Sequence, residues 1–303
     1  MFTGAGVNEA FHGTPESENM IQIINDPREM QARADAQRVA GKRIAVVPTM
    51  GALHEGHFSL IRLARTQADL VITTIFVNPT QFGKGEDFER YPRDLGRDTS
   101  LCAGAGTDIV FVPEISTMYT EGYRTFVTVE GISEVLEGAA RPGHFRGVAT
   151  VVTKLLGITK PHLAVFGQKD AQQVVILKRL VLDLNLDVTI VVGPIVREKD
   201  GLAMSSRNVY LSPEQRAEAP ILYRALQLGM TMIRKGERRG PTVSHAMRAL
   251  ITGGSSGIVE YVSIADSSSL DEKQLLGTGE ELLLSLAVQF GSTRLIDNLM
   301  LIV

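Results

Sequence analysis

The stretch Pro48-Thr49-Met50-Gly51-Ala52-Leu53-His54-Glu55-Gly56-His57 puts two histidines and two glycines where a short apolar run, 45–47, gives way to helical periodicity. A helix N-terminus carries unpaired backbone N–H groups and a partial positive charge, so it is a ready site for phosphate. Gly51 and Gly56 let the backbone come close to a ligand. His54 and His57, with ordinary pKa values of about 6.5, donate hydrogen bonds to phosphate oxygens whether charged or neutral. They could also stabilise the charge that builds on a departing pyrophosphate. Two other readings fit the same residues. A His-x-x-His spacing holds zinc if further ligands converge, although it is not the His-Glu-x-x-His of zinc proteases and the sole cysteine, Cys102, falls far off in a predicted helix. Plain structural histidines give the same pattern.

Polar side chains recur after other apolar runs. Asn78 and Gln81 follow the run 70–77. Gly167, Gln168, Lys169 and Asp170, then Gln172 and Gln173, follow 163–166. Ser205, Ser206 and Arg207 close a glycine-bearing loop after the run ending at Val192, and Arg141 and His144 bracket a Pro-Gly turn before a helix. Lysine is a point charge suited to phosphate. An isolated Lys-Asp reads as a solvated pair, and only its place at a strand end argues for function. Two hydroxyls and a guanidinium can wrap a triphosphate, although such strings are common in solvated loops. Gln81 and Gln173 are neutral amides that can read hydroxyl and carboxylate groups without adding charge. Arg141 and His144 suit an anion or ordinary turn chemistry equally.

These clusters need a scaffold that brings strand ends together. The apolar, β-branched runs 43–47, 70–77, 108–112, 163–166 and 188–192 read as strands. Between them, 58–66 reads as a helix with Phe58, Leu60, Ile61 and Ala64 turned inward, and 94–105, 148–157 and 171–183 read as further helices. Continuous apolar strands separated by helices imply an α/β fold, a Rossmann-like doubly wound parallel sheet buried on both faces. Its ligands belong beyond the carboxyl ends of the strands. After about residue 195 the pattern changes. The stretch 211–236 reads as a long helix with Ser212 as N-cap and Gln215 completing a capping box, and Pro220 should kink it or delay its start. A helix over 243–251 and three strand-like runs, 259–266, 281–290 and 293–303, follow as a second, smaller α+β domain. The expected division is a flexible extension 1–19, a Rossmann-like domain 20–195 and a C-terminal domain 196–303.

Composition narrows the function. Lys plus Arg is 31 against 34 for Asp plus Glu, a net charge of -3, which argues against a general nucleic-acid binder. With 44% hydrophobic and 21% charged residues the chain suits a soluble globular protein. No apolar run approaches the roughly 20 residues of a membrane span, so no membrane partner is expected. The N-terminus lacks the regions of a signal peptide, and a single cysteine weakly favours a reducing, cytoplasmic compartment. No Ser-His-Asp signature, Walker A pattern or Gly-x-Gly-x-x-Gly after the first strand is present.

In this order, PTMGALHEGH, IFVNPTQF, RPGHFRGV, FGQKDAQQ and GLAMSSRN resemble the pantothenate synthetase (pantoate–β-alanine ligase) family of the HxGH-type nucleotidyltransferase superfamily. The resemblance runs from about Ile21 to the GSTRLIDN near the C-terminus. It implies that ATP and (R)-pantoate form an enzyme-bound pantoyl adenylate, which the amine of β-alanine then attacks, releasing AMP. It further implies that Met50, Gly51, Ala52, Leu53, His54, Glu55, Gly56 and His57 line the ATP site, with His57 as proton donor and His54 beside the phosphates. Gly167, Gln168, Lys169 and Asp170 would bind ATP, Lys169 on phosphate and Asp170 toward the ribose. Val196 would touch adenine, and Met204, Ser205, Ser206 and Arg207 would close over the phosphates. Gln81 and Gln173, with Asn78 and Arg141, would hold substrate. Mg²⁺ would travel with ATP, with no resident metal, and members are typically cytoplasmic homodimers. Gln168 stands where many members have Glu, Ala171 where many have an aromatic, and the segment before Arg141 is LEGAA, where a Cys-Gly is frequent. Two rival readings share parts of the pattern: a nucleotidyltransferase that leaves AMP on its acceptor, and a non-enzymatic ATP-binding module.

Overall fold

The computed structural model describes residues 21–83 and 85–303; the expected extension 1–19 lies outside them. In chain order the first part runs β1 (Gln22–Ile24), α1 (Pro27–Val39), β2 (Ile44–Thr49), α2 (Glu55–Arg65), β3 (Leu70–Ile75), α3 (Leu95–Ala105) and β4 (Ile109–Phe111). It continues with α4 (Ile115–Met118), α5 (Glu137–Ala140), α6 (His144–Thr159), β5 (Leu163–Gly167), α7 (Ala171–Asp183) and β6 (Thr189–Gly193). All six strands pair in parallel in the order β1-β4-β3-β2-β5-β6. Along β2, Ile44 and Val46 pack toward α1, α6 and α7, whereas Ala45 and Val47 pack toward α2 and α3. Both faces are covered, which is why the strand reads as an unbroken apolar run. The order reverses between β2 and β5, and a crevice opens there beyond the carboxyl ends of the strands.

Several boundaries move. Helix α2 starts at Glu55 rather than 58, and α6 spans sixteen residues from His144 rather than 148–157. The apolar pattern does not reveal β1 and α1. Helix α1 buries only Met30 and Ala34, so no apolar stripe marks it; its legible signals are the Asp26 N-cap and Pro27 behind it.

The second part contains α8 (Pro213–Glu218), α9 (Ile221–Arg234), α10 (Gly240–Gly254), β7 (Ile258–Asp266), β8 (Glu281–Phe290) and β9 (Thr293–Ile302). Ser212 and Gln215 form the expected capping box, and Pro220 divides the expected long helix into α8 and α9. Strands β7-β8-β9 form an antiparallel sheet. Leu282, Leu284, Leu286 and Val288 of β8 face a core shared with α9 and α10. Leu283, on the opposite face, packs on Ala171 of the first part. The period of two thus lets one strand serve its own core and wall a cleft. Among the described residues no helix is long and apolar enough to cross a membrane.

Helix α6 abuts the 3-10 turn Pro79–Gln81, and a Cβ at Gly147 would lie 2.3 Å from the Thr80 carbonyl oxygen. Gly147→Ala must therefore drive the helix and this turn apart. A stability loss of about 1–3 kcal/mol is expected, read as a lower urea midpoint at unchanged slope.

Candidate active site

The two histidines answer to the backbone first. His54 is the N-cap of α2, with extended φ and ψ, and its Nδ1 accepts a hydrogen bond from Gly56 N at 3.1 Å. His57 sits in the first turn and its Nδ1 accepts from His54 N at 3.3 Å. The pair is a capping box built from imidazoles instead of Ser and Glu. Because each Nδ1 accepts, each proton resides on Nε2, and both Nε2–H groups are left to donate. Gly56 serves this arrangement: a Cβ there would fall 2.8 Å from the His54 ring.

Burial, and after it the Lys169 cation, pushes His54 down to about 4 despite Asp170 and Glu198. Burial, then His54 and Lys169, pushes His57 down to about 3. Both imidazoles are neutral donors at pH 7. An arriving polyphosphate is the kind of charge that would reverse this and favour the imidazolium.

The loop before α2 is clamped from below. Gly51 has φ +88 and Ala52 has φ +52, a left-handed conformation unusual for alanine. Buried Asp98 of α3 holds it, accepting from Ala52 N at 2.8 Å and Leu53 N at 3.0 Å. The Leu53 side chain lies in the core, and exposed Glu55 pairs with Arg62, so neither side chain faces the cleft as the resemblance implied. Met50 Sδ accepts from Gln81 Nε2 at 3.0 Å. Asn78 donates to Gln81 Oε1 at 3.1 Å and to Gly147 O at 3.2 Å, and accepts from Tyr119 at 2.7 Å. Its amide is fully engaged, so Asn78 orients Gln81 rather than offering a group to a substrate. His144 donates through Nδ1 to Gln81 O at 2.8 Å and accepts from Arg141 through Nε2. Burial, then Arg141, lowers its pKa to about 4.

Across the switch point, Gly167 ends β5 and Gln168, Lys169 and Asp170 form a 3-10 turn into α7. Lys169 is half-buried and meets Asp170 at 3.7 Å. A cleft of about 520 Å³ between the two sheets is lined by Lys169, Asp170, Gln173, Ser205, Arg207 and Arg141, among others, and it falls within the roughly 300–1,000 Å³ usual for small-molecule sites. His54, His57, Met50 and Gln81 are not among its lining residues; Lys169 links the two regions, its charge acting on both imidazoles. Val196 and Met204 sit side by side through a 3.0 Å backbone bond outside this cleft. Ser206 lies 3.3 Å from the Tyr91 hydroxyl, and Ser205 caps the short turn that carries Arg207.

Both arginines expected to meet anions are already paired. Arg207 grips Asp87 through two bonds of 2.9 and 3.1 Å, and Arg141 grips Glu86 through two of 2.6 and 2.8 Å. Burial alone would raise Asp87 and Glu86, but the guanidinium partners hold both carboxyls below their usual range. Among the described residues, no three His, Cys, Asp or Glu side chains gather as a metal cage.

The family model for pantoate-beta-alanine ligase matches residues 22–300. The chain belongs to the pantoate–β-alanine ligase family. The pantothenate synthetase of Moorella thermoacetica is 56% identical over 282 residues, 93% of this chain and 98% of that protein. That of Roseiflexus sp. is 57% identical over 282 residues, 93% of this chain and 99% of its own. The crystal structure of pantothenate synthetase from Thermus thermophilus has a TM-score of 0.86 at 41% identity, over 92% of this chain and 99% of that one. The pantoate-beta-alanine ligase of Francisella tularensis, complexed with beta-gamma ATP and beta-alanine, has a TM-score of 0.74 at 33% identity, over 92% and 97%.

A pantoate–β-alanine ligase thus carries site residues that spacing alone passes over. Asp98 lies on the buried side of α3 with Thr99, Cys102 and Ala105, and a carboxylate on an apolar stripe was the available signal. Glu86 and Asp87 sit in a polar loop with nothing to mark their partners. Asp98→Ala should leave the Ala52 and Leu53 N–H groups without their acceptor and cost about 3–6 kcal/mol, since each of the two hydrogen bonds to a charged group is worth roughly 1.5–3 kcal/mol. Chemical denaturation of both proteins checks this.

The histidine pKa values also set a pH dependence. Unfolded His54, His57 and His144 take up protons below about 6.5, whereas the folded forms do so only near 4, 3 and 4. Protons therefore favour the unfolded state, and stability should fall as pH drops from about 6.5 toward 4. Replacing His144 by Gln should flatten that slope in melting curves; an unchanged slope would exclude its share.

Proposed function

We propose that this chain joins (R)-pantoate to β-alanine with ATP, in two steps within one cleft. A pantoate carboxylate oxygen attacks the α-phosphorus of ATP, the bond from that phosphorus to the bridging oxygen breaks, and pyrophosphate leaves. The β-alanine amine then attacks the acyl carbon of the pantoyl adenylate, the bond to AMP breaks, and (R)-pantothenate and AMP are released. The observation that carries this reading is the convergence of His54, His57 and Lys169 at the switch point of a chain that matches the ligase family over 22–300.

The geometry suits charge neutralisation and placement rather than covalent catalysis. The Nε2–H groups of His54 and His57 donate to phosphate oxygens, and His57 becomes the stronger donor as charge builds on the leaving pyrophosphate. Lys169 supplies the fixed cation between them and the cleft. Gln81, oriented by Asn78 and Met50, and Gln173, whose amide makes no hydrogen bond to a described residue, read the pantoate hydroxyl and carboxylate groups. Gly167, Gln168 and Asp170 line the nucleotide side, and Val196 and Met204 border the base. Ser205, Ser206 and Arg207 close over the phosphates once Arg207 exchanges Asp87 for the nucleotide. Arg141 steadies Gln81 through its carbonyl oxygen, contacting substrate only if it parts from Glu86. Mg²⁺ enters as part of the nucleotide substrate. The C-terminal domain acts as a lid that keeps water off the adenylate. The family relationship supports a homodimer in the cytoplasm.

The test measures AMP from ATP and Mg²⁺ with pantoate alone, β-alanine alone and both together. Rapid AMP turnover is expected only with both. His57→Ala should lower kcat about 10²–10³-fold, the usual cost of one preorganised donor to developing charge. ATP consumed without free AMP would indicate a nucleotidyltransferase, and bound but unconsumed ATP a binding module.

A further inference from the structure

Strand β9 places two neighbouring side chains, Asp297 and Asn298, in the cleft wall, both almost fully buried. Asn298 reaches the first part of the chain. Its Nδ2 donates to Gln168 O at 3.0 Å and to Lys169 O at 2.9 Å, and its Oδ1 accepts from Gln168 Nε2 at 3.1 Å. These bonds fix the backbone on both sides of the point from which the Lys169 side chain departs. Asp297 turns the other way, as successive residues of a strand do. It takes the Arg197 guanidinium at 2.6 and 2.9 Å, and burial lifts its carboxyl while Arg197 opposes the rise.

Arg197 in turn organises the chain that leads to Ser205. It donates to Gly201 O at 3.0 Å and to Asn298 O at 3.3 Å, and its guanidinium lies 3.9 Å from the Tyr223 ring centre. Its backbone bridges to Ala203, and Met204 N bonds Val196 O at 3.0 Å. The hairpin 196–204 is thus held by Asp297, and the turn 168–170 by Asn298. One dipeptide grips both elements that flank the cleft.

We propose that Asp297 and Asn298 are a positioning pair for adenylation, setting the distance between the turn that carries Lys169 and the hairpin that delivers Ser205, Ser206 and Arg207. This rests on reading those four residues as phosphate contacts. Neither Asp297 nor Asn298 touches substrate. They act by holding two loops from different domains in one register, and the second domain does so only when β9 is docked. The two half-reactions then depend on the pair unequally. Adenylation needs both loops on the phosphates, whereas attack by the amine on a preformed adenylate has no pyrophosphate to stabilise.

The experiment compares pyrophosphate release from ATP and pantoate in a single turnover with β-alanine attack on supplied pantoyl adenylate. Asn298→Asp keeps the acceptor for Gln168 but sets a carboxylate against two carbonyls. It should slow adenylation about 10²-fold, the effect of an ångström-scale misplacement, with the loss in kcat rather than in KM for ATP, and leave the second half-reaction within about twofold. Arg197→Lys, which keeps the charge on Asp297 but loses the bonds to Gly201 and Asn298, should show the same split and serves if Asn298→Asp does not fold. Equal loss of both half-reactions, or adenylation unchanged, overturns the proposal. Lys169→Ala is run beside them. If it adenylates normally, the phosphate reading fails and the proposal falls with it; if it is inactive while Asn298→Asp and Arg197→Lys are not, the proposal alone is wrong.

Discussion

Each imidazole of the His54–His57 pair is fixed by a backbone N–H at the start of α2, and the rest of the site is arranged around that constraint. The bonds decide which nitrogen carries the proton, and burial beside Lys169 keeps both rings neutral. A charged pair next to a lysine in a half-closed cleft would repel itself when empty. A neutral pair does not, yet it can take up charge when phosphates arrive. The helix supplies partial positive charge from its own N–H groups at the same place.

Cations elsewhere in the cleft follow the same economy of charge. Arg141 and Arg207 are each held by a carboxylate, and Arg294 by Glu137 and Glu260. A buried charge without a partner is expensive, which is the physical reason each of these arginines carries a carboxylate. Lys169 is held less tightly than these arginines: its contact with Asp170 is long, at 3.7 Å, and Asp170 is exposed.

The second domain is more than a cover. Leu283 packs on Ala171, Arg294 and Tyr261 bond Glu137, and Asn298 bonds the backbone of Gln168 and Lys169. The last contact reaches the 168–170 turn directly, so docking of β9 and the shape of that turn are one event.

Sequence alone determined the α/β class, the parallel sheet, the antiparallel tail and the polar rim, because those follow from local periodicity and from residues within a few positions of each other. It also singled out His54, His57 and Lys169 from their places after apolar runs, and in the fold the Lys169 charge acts on both imidazoles. It erred where a signal pointed two ways. Glycine at 56 makes room for a ring rather than a ligand, Leu53 belongs to the core, and Asn78 serves Gln81. The partners of these residues were out of its reach. Asp98 lies 46 residues from Ala52, Asp87 lies 120 from Arg207, and Asn298 lies 130 from Gln168. Only the tertiary structure decided those pairings, since a hydrogen bond between distant residues exists only after the sheet and both cores have brought their backbones within about 3 Å.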